Sequence, residues 1–124
     1  MRLFFRLSFL VAVLLIATSS VWAGEQTTAV EIDYLINAVS ESGCNFVRNG
    51  KEHTPSEAAD HLQMKARRGK RYYDTTEEFI DRIASKSSWS GKPYLIQCDG
   101  QPDVPAADWF SRVLTEFRVS SKAG

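Results

Sequence analysis

No apolar run in this sequence is long enough to cross a bilayer. The main one, LSFLVAVLLIA, spans about 11 residues, against the roughly 20 that a membrane helix needs. Neither sign of charge is in excess: 15 basic and 15 acidic residues give a formal net charge of zero. That balance gives no non-specific attraction to nucleic acid or to an anionic membrane. Histidine and cysteine are scarce, with two of each. There is no Cys-x-x-Cys pair for redox work, no Gly-x-Ser-x-Gly elbow and no Ser-x-x-Lys signature. Internal repeats, low-complexity tracts and long linkers are also missing, which leaves room for one domain.

The first residues set the compartment. MRLFFR is a positive start, the apolar run follows, and TSSVWA ends in small residues at Val21 and Ala23. This is the pattern of a cleaved secretory signal peptide over residues 1–23, and Trp22 belongs to it. No cysteine stands at the cleavage point, so no lipid anchor is expected, nor any other membrane anchor after cleavage. Cleavage removes Arg2 and Arg6, leaving 13 basic against 15 acidic residues in a mature chain of about 101 residues, 24–124. In an oxidising compartment, the even pair Cys44 and Cys98 is expected to form a structural disulfide.

The segments are well punctuated. Thr28 to Glu41 reads as a helix, with Ile32, Leu35, Ile36 and Val39 at helical spacing and Thr28-Ala-Val-Glu31 as a capping box. Gly43 ends it. Residues 44–48 and 51–53 read as strands about an Asn49-Gly50 type I′ turn. Thr54-Pro55-Ser56-Glu57 opens a second helix with an N-cap, a proline in the first turn and an acid at N3; Gly69 closes it. A third helix starts at Thr75 or Thr76 and carries Phe79, Ile80 and Ile83. Residues 85–93, SKSSWSGKP, form a polar loop, and Tyr94 to Cys98 a strand. Pro105 starts a last helix with Trp109, Phe110, Val113, Leu114 and Phe117 inward, and the SSKAG tail is expected to fray. The order α-β-β-α-α-β-α predicts an α+β domain: a small, mainly antiparallel sheet, made of the hairpin and a late strand, packed by about four helices.

With the segments placed, several motifs stand together: Phe46-Val-Arg-Asn-Gly50, Glu52-His53, His61-Leu62 with Lys65, Phe79-Ile80-Asp81, Ser85-Lys-Ser-Ser88 and Ser90-Gly-Lys-Pro-Tyr94. Over about half of the mature chain, the sequence resembles a family of small secreted bacterial proteins known as domain of unknown function 5329. The resemblance implies a periplasmic setting in a Gram-negative source. It implies no reaction and carries over no catalytic residue.

The polar residues allow three kinds of site. His53, Glu57 and His61 are metal-ligand types, but His53 precedes the helix and His61 lies about 10 Å of rise along it. Only Glu57 and His61, four apart, share a face; neither a metal nor a cofactor is expected. Ser85, Ser87, Ser88 and Ser90 lie near lysines, and a nucleophilic serine would need a histidine base and an oxyanion hole. Such a serine-rich loop commonly satisfies its own backbone. Residues 65–71, KARRGKR, carry five basic residues in seven, at a helix C-terminus that favours cations. Arg48 and Lys65 can join His53, His61, Ser87 and Ser88 in a groove suited to a carboxylate or phosphate. Ser90-Gly91-Lys92 is not a phosphate loop, because Pro93 leads into a strand. The expected function is a non-enzymatic binding or interaction module, with a periplasmic protein or a small anion as partner. The alternatives are a small hydrolase pairing a loop serine with His61 or His53, and a structural or stress-related envelope protein.

Overall fold

The computed structural model describes residues 20–123. The charged start and apolar run of the expected signal peptide lie outside the described residues. Among the described residues no helix is long and apolar enough to cross a membrane. Along the chain come α1 (Ser20–Glu41), β1 (Asn45–Arg48), β2 (Lys51–His53) and α2 (Pro55–Arg68). A 3-10 turn over Lys70–Tyr72 leads to α3 (Thr76–Phe79), which runs on as a π-helical turn over Ile80–Ala84. Then follow β3 (Leu95–Gln97), β4 (Val104–Pro105) and α4 (Ala106–Ala123). The α+β architecture is the predicted one. All strand pairs are antiparallel, in the spatial order β2-β1-β3-β4.

The sheet forms where the sequence punctuates it. Asn49 and Gly50 both adopt positive φ, 52° and 78°, the conformation of a type I′ turn. Phe46 pairs with His53 across the hairpin and with Ile96 on β3. The disulfide joins Cys44 to Cys98, with Cα atoms 4.5 Å apart, and ties the start of β1 to the end of β3. β4 is an addition to the predicted pattern. Pro105, expected as the first helical residue, pairs instead with Leu95 at the sheet edge. An edge position tolerates a residue with no N–H to donate. α4 begins at the next residue, whose N–H donates to the Tyr94 carbonyl at 2.8 Å.

Helices α2 and α4 pack on the sheet, and α1 packs on α2, α3 and α4. Ile32, Leu35, Ile36 and Val39 of α1 are all buried, as are Phe79, Ile80, Ile83, Trp109, Phe110 and Leu114. Phe46 meets Trp109 and Phe110 at ring separations of 6.4 and 6.2 Å. Phe117, near the end of α4, stacks on Tyr34 of α1 at 4.1 Å.

The expected capping box at Thr28-Glu31 is overturned. α1 already runs from Ser20, so Glu31 lies mid-helix. Its buried carboxylate accepts from Arg118 Nε (2.6 Å), a second Arg118 nitrogen (2.9 Å) and the Thr76 hydroxyl (2.6 Å). Arg118 also reaches Glu77 at 2.5 Å, so one guanidinium links α1, α3 and α4. The hydrogen bond from Arg118 holds the Glu31 carboxyl below its usual range, against the opposing effect of burial.

Gly69 ends α2 as predicted, for a different reason. Its φ of −97° is open to any residue. Space is what demands glycine: a Cβ there would stand 2.7 Å from Ile83 Cδ1 and 3.0 Å from the Lys65 carbonyl oxygen.

Two substitutions test these joints. Gly69→Ala should cost about 1–3 kcal/mol through overpacking and lower Tm by about 4–8 °C per kcal/mol in a domain of this size, read by thermal denaturation. Arg118→Ala strands the Glu31 carboxylate. Because Arg118 is partly solvent-exposed, the expected loss is about 2 kcal/mol, below the range for fully buried pairs; urea unfolding midpoints measure it.

Candidate functional site

α2 is placed by its first turn. The Thr54 hydroxyl accepts the Glu57 N–H at 3.2 Å, and a Glu57 carboxylate oxygen accepts the Thr54 N–H at 3.4 Å. The inward stripe that follows reads Ala58, Ala59, Leu62, Lys65. The last of these stands where helical periodicity calls for an apolar side chain. Lys65 is 8 % exposed. Its Nζ donates to the Lys86 carbonyl at 2.8 Å and to the Tyr94 hydroxyl at 3.0 Å, and it lies 4.9 Å from the centre of the Tyr94 ring. The buried ammonium thus has two neutral acceptors and no carboxylate partner among the described residues.

The serine loop is fixed in front of it. Lys86 and Pro93 form an isolated bridge, and the Tyr94 N–H donates to the Ser85 carbonyl at 2.9 Å. The Ser87 hydroxyl oxygen accepts from the N–H groups of Trp89 (3.3 Å) and Ser90 (3.2 Å) and from Asn49 Nδ2 (3.3 Å). Ser90 Oγ donates to Asn49 Oδ1 at 2.5 Å. Asn49, whose sequence signal was only that of a turn, therefore clips the hairpin tip to the serine loop.

Between α2, the hairpin and this loop lies a cavity of about 440 Å³. Arg48, His61, Lys65, Arg68, Asn49, Ser87, Ser88 and the aromatic residues Tyr72, Trp89 and Tyr94 line it, with Met64, Gly69 and Ile83. No aspartate or glutamate is among the lining residues. Arg48 makes no ion pair and no side-chain hydrogen bond among the described residues. Five of the six sequence-predicted site residues meet here: Arg48, His61, Lys65, Ser87 and Ser88. His53 stands apart, in a neighbouring crevice of about 10 Å³ that also touches Arg48 and His61. Its Nδ1 lies 3.4 Å from Glu57, so Glu57 turns to the cap and to His53 rather than to His61. The sequence under-read Arg68, Asn49, Tyr72 and Tyr94. Trp89 is 95 % exposed.

The field of these cations acts on the titratable groups. Burial first, and then the Arg48 and Lys65 charges, push His61 from 6.5 down to about 4, so its imidazole is neutral at pH 7. Burial, and then Arg48, lower Lys65 from 10.5 to about 8. Burial also raises the Tyr94 phenol.

Nucleophilic chemistry needs a serine within hydrogen-bond reach of a base. Among the described residues no hydrogen bond joins a serine to either histidine. Ser87 instead accepts three hydrogen bonds that shape the loop, and Ser85 Oγ donates to the Asp81 carbonyl at 3.1 Å. No group of three or more His, Cys, Asp or Glu among the described residues is placed to hold a metal ion.

The family described as "Family of unknown function (DUF5329)" matches residues 26–118. The chain is 39 % identical to the uncharacterized protein YfeK of Salmonella typhimurium over 84 residues, covering 66 % of this chain and 70 % of that one. No solved structure matches.

The His61 shift predicts an acid response. Its folded value, about 4, lies below the unfolded 6.5, so the unfolded chain binds more protons between those values and stability falls as pH drops through that window. His61→Gln should flatten this part of the curve, leaving the later losses from the depressed carboxyls of Glu31 and Glu77. Chemical denaturation at a series of pH values, followed by circular dichroism, checks it; an unchanged slope between pH 6.5 and 4 contradicts it.

Proposed function

The chain belongs to the DUF5329 family, whose function is unknown, and from that starting point we propose that it is a non-enzymatic binding module whose cavity receives an anionic ligand. One observation carries the reading: the cavity gathers Arg48, Lys65 and Arg68 around a neutral His61 without a single lining carboxylate. Buried charges in folded proteins are normally paired, because the loss of hydration is otherwise uncompensated. Lys65 has only neutral acceptors, and its ammonium has a third donor to offer. An anion entering the cavity would supply the missing counter-charge and meet the planar fork of Arg48 beside it. The serine loop supports binding over turnover, since the Ser85, Ser87 and Ser90 hydroxyls are engaged in holding its own shape.

The setting that fits is an oxidising one. The Cys44–Cys98 disulfide is compatible with a secreted protein, and the amino-terminal pattern points to export into the periplasm. A small ligand is favoured over a protein partner because the cations lie inside a cavity rather than on a flat face.

Inorganic phosphate and acetate are the probes. Each should raise Tm in proportion to its concentration by mass action, and added neutral salt should weaken the effect at the more exposed Arg48. Arg48→Ala should reduce the apparent affinity about tenfold, as the loss of a charge-assisted hydrogen bond implies, with little change in the Tm of the unliganded protein. Affinity should also fall as pH rises through about 8, where Lys65 loses its charge. Anion titrations that give no Tm shift at any pH between 6 and 9, or an Arg48→Ala variant that binds as well as the parent, would sink the reading.

A further inference from the structure

Trp89 is the one large apolar side chain on this cavity that has almost no contact with the protein: it is 95 % exposed. Its backbone is nevertheless held. The Trp89 N–H donates to Ser87 Oγ at 3.3 Å, the Gly91 N–H returns to the Ser87 carbonyl at 3.0 Å, and Asn49 pins both Ser87 and Ser90. An indole displayed on a fixed turn is a surface for contact, since an aromatic face left in water forgoes its apolar contribution. Tyr72, also on the cavity and half exposed, differs in having one face covered by the Arg71 guanidinium at 4.9 Å. No cation covers Trp89 among the described residues, so its ring is free on both sides.

Three chemical features thus meet on one cavity. Lys65 and Arg48 offer positive charge, Trp89 offers a flat apolar face, and Ser88, exposed and without a side-chain partner among the described residues, offers a hydroxyl at the rim. A bare inorganic anion uses only the first. An aliphatic acid uses the first two and leaves the hydroxyl to water. A pyranose acid uses all three, because one face of a sugar ring is lined by C–H bonds while its edge carries hydroxyls. A volume of about 440 Å³ lies in the range of small-molecule sites.

We propose that the cavity recognises a carbohydrate bearing a carboxylate, with the carboxylate at Lys65 and Arg48 and a face of the sugar ring on Trp89. The inference rests on the anion-binding reading and names the ligand class for it. The chemistry is the same whether the acid is a free sugar or the end of an acidic glycan.

Calorimetric titration of the purified chain with glucuronate, glucose, acetate and cyclohexanecarboxylate separates the ideas, and a tetrameric uronate distinguishes a glycan end from a free sugar. Glucuronate should bind about tenfold more tightly than acetate, and glucose not measurably. Trp89→Ala, at a position exposed enough to spare the fold, should weaken glucuronate about fivefold, the size of an aromatic contact, and leave acetate unchanged. A tetramer that binds more tightly than the monomer supports a glycan source; equal affinity supports the free acid. Three results overturn the carbohydrate assignment while leaving the anion site standing: acetate binding as tightly as glucuronate, cyclohexanecarboxylate binding more tightly, or Trp89→Ala leaving glucuronate affinity within twofold. If no acid binds the parent protein at all, both readings fall together.

Discussion

The buried ammonium of Lys65 organises this half of the molecule. It sits on the inward stripe of α2, bonds to the Lys86 carbonyl at the root of the serine loop and to the phenol of Tyr94 just before β3. α2 and both ends of the 86–94 loop are thereby set around one charge. The distance from loop to helix, and so the width of the cavity, follows from the reach of that side chain. Gly69 eases the packing of the end of α2 on Ile83, since a Cβ there would crowd the Ile83 Cδ1 and the Lys65 carbonyl oxygen.

Among the described residues two charged side chains are buried, Glu31 and Lys65, and they are handled in opposite ways. Glu31 is met by a guanidinium and a threonine hydroxyl. Its carboxyl is held low despite burial, and the result is a joint between three helices. Lys65 is met by neutral oxygens alone, and its value is pulled toward neutrality. A fully compensated charge serves the fold; an incompletely compensated one leaves electrostatic free energy available to whatever enters beside it. The helix-bundle side is the closed joint, and the hairpin side is the open one.

Much of this was legible in the sequence because local rules decide it. Asn49-Gly50 had to turn, Thr54-Pro55-Ser56-Glu57 had to start a helix, and the apolar stripe of α1 had to face the core. The signals that misled were local patterns with a non-local use. Thr28-Ala-Val-Glu31 has the letters of a capping box, yet its acid finds Arg118 far along the chain, a pairing that no window of adjacent residues contains. Pro105 resembles a helix start, but whether it belongs to the helix or to the sheet depends on Leu95 lying alongside. At the site, Arg48, His61, Lys65 and the serines could be named from residue type and position. Asn49, Arg68, Tyr72 and Tyr94 could not, because each carries a sufficient local explanation as turn, helix end, linker or strand.

Lys65 also shows why a basic cluster in sequence is a poor guide to a basic surface. Of the five cations in residues 65–71, the four at positions 67, 68, 70 and 71 are exposed, while Lys65 turns inward. The difference is helical phase: Lys65 follows Ala58 and Leu62 at spacings of seven and three, which puts it on the buried stripe, whereas Arg67 lies on the opposite side. Solvent screens the exposed charges and makes them weak individually. The inward one acts in a lower dielectric, where the same unit of charge exerts a larger effect on its neighbours. Burial first, and then the Arg48 and Lys65 charges, keep neutral the His61 imidazole, which would otherwise gain a proton in mildly acidic surroundings. The proposed preference of the cavity for negative charge therefore rests less on how many cations surround it than on the depth at which one of them is held.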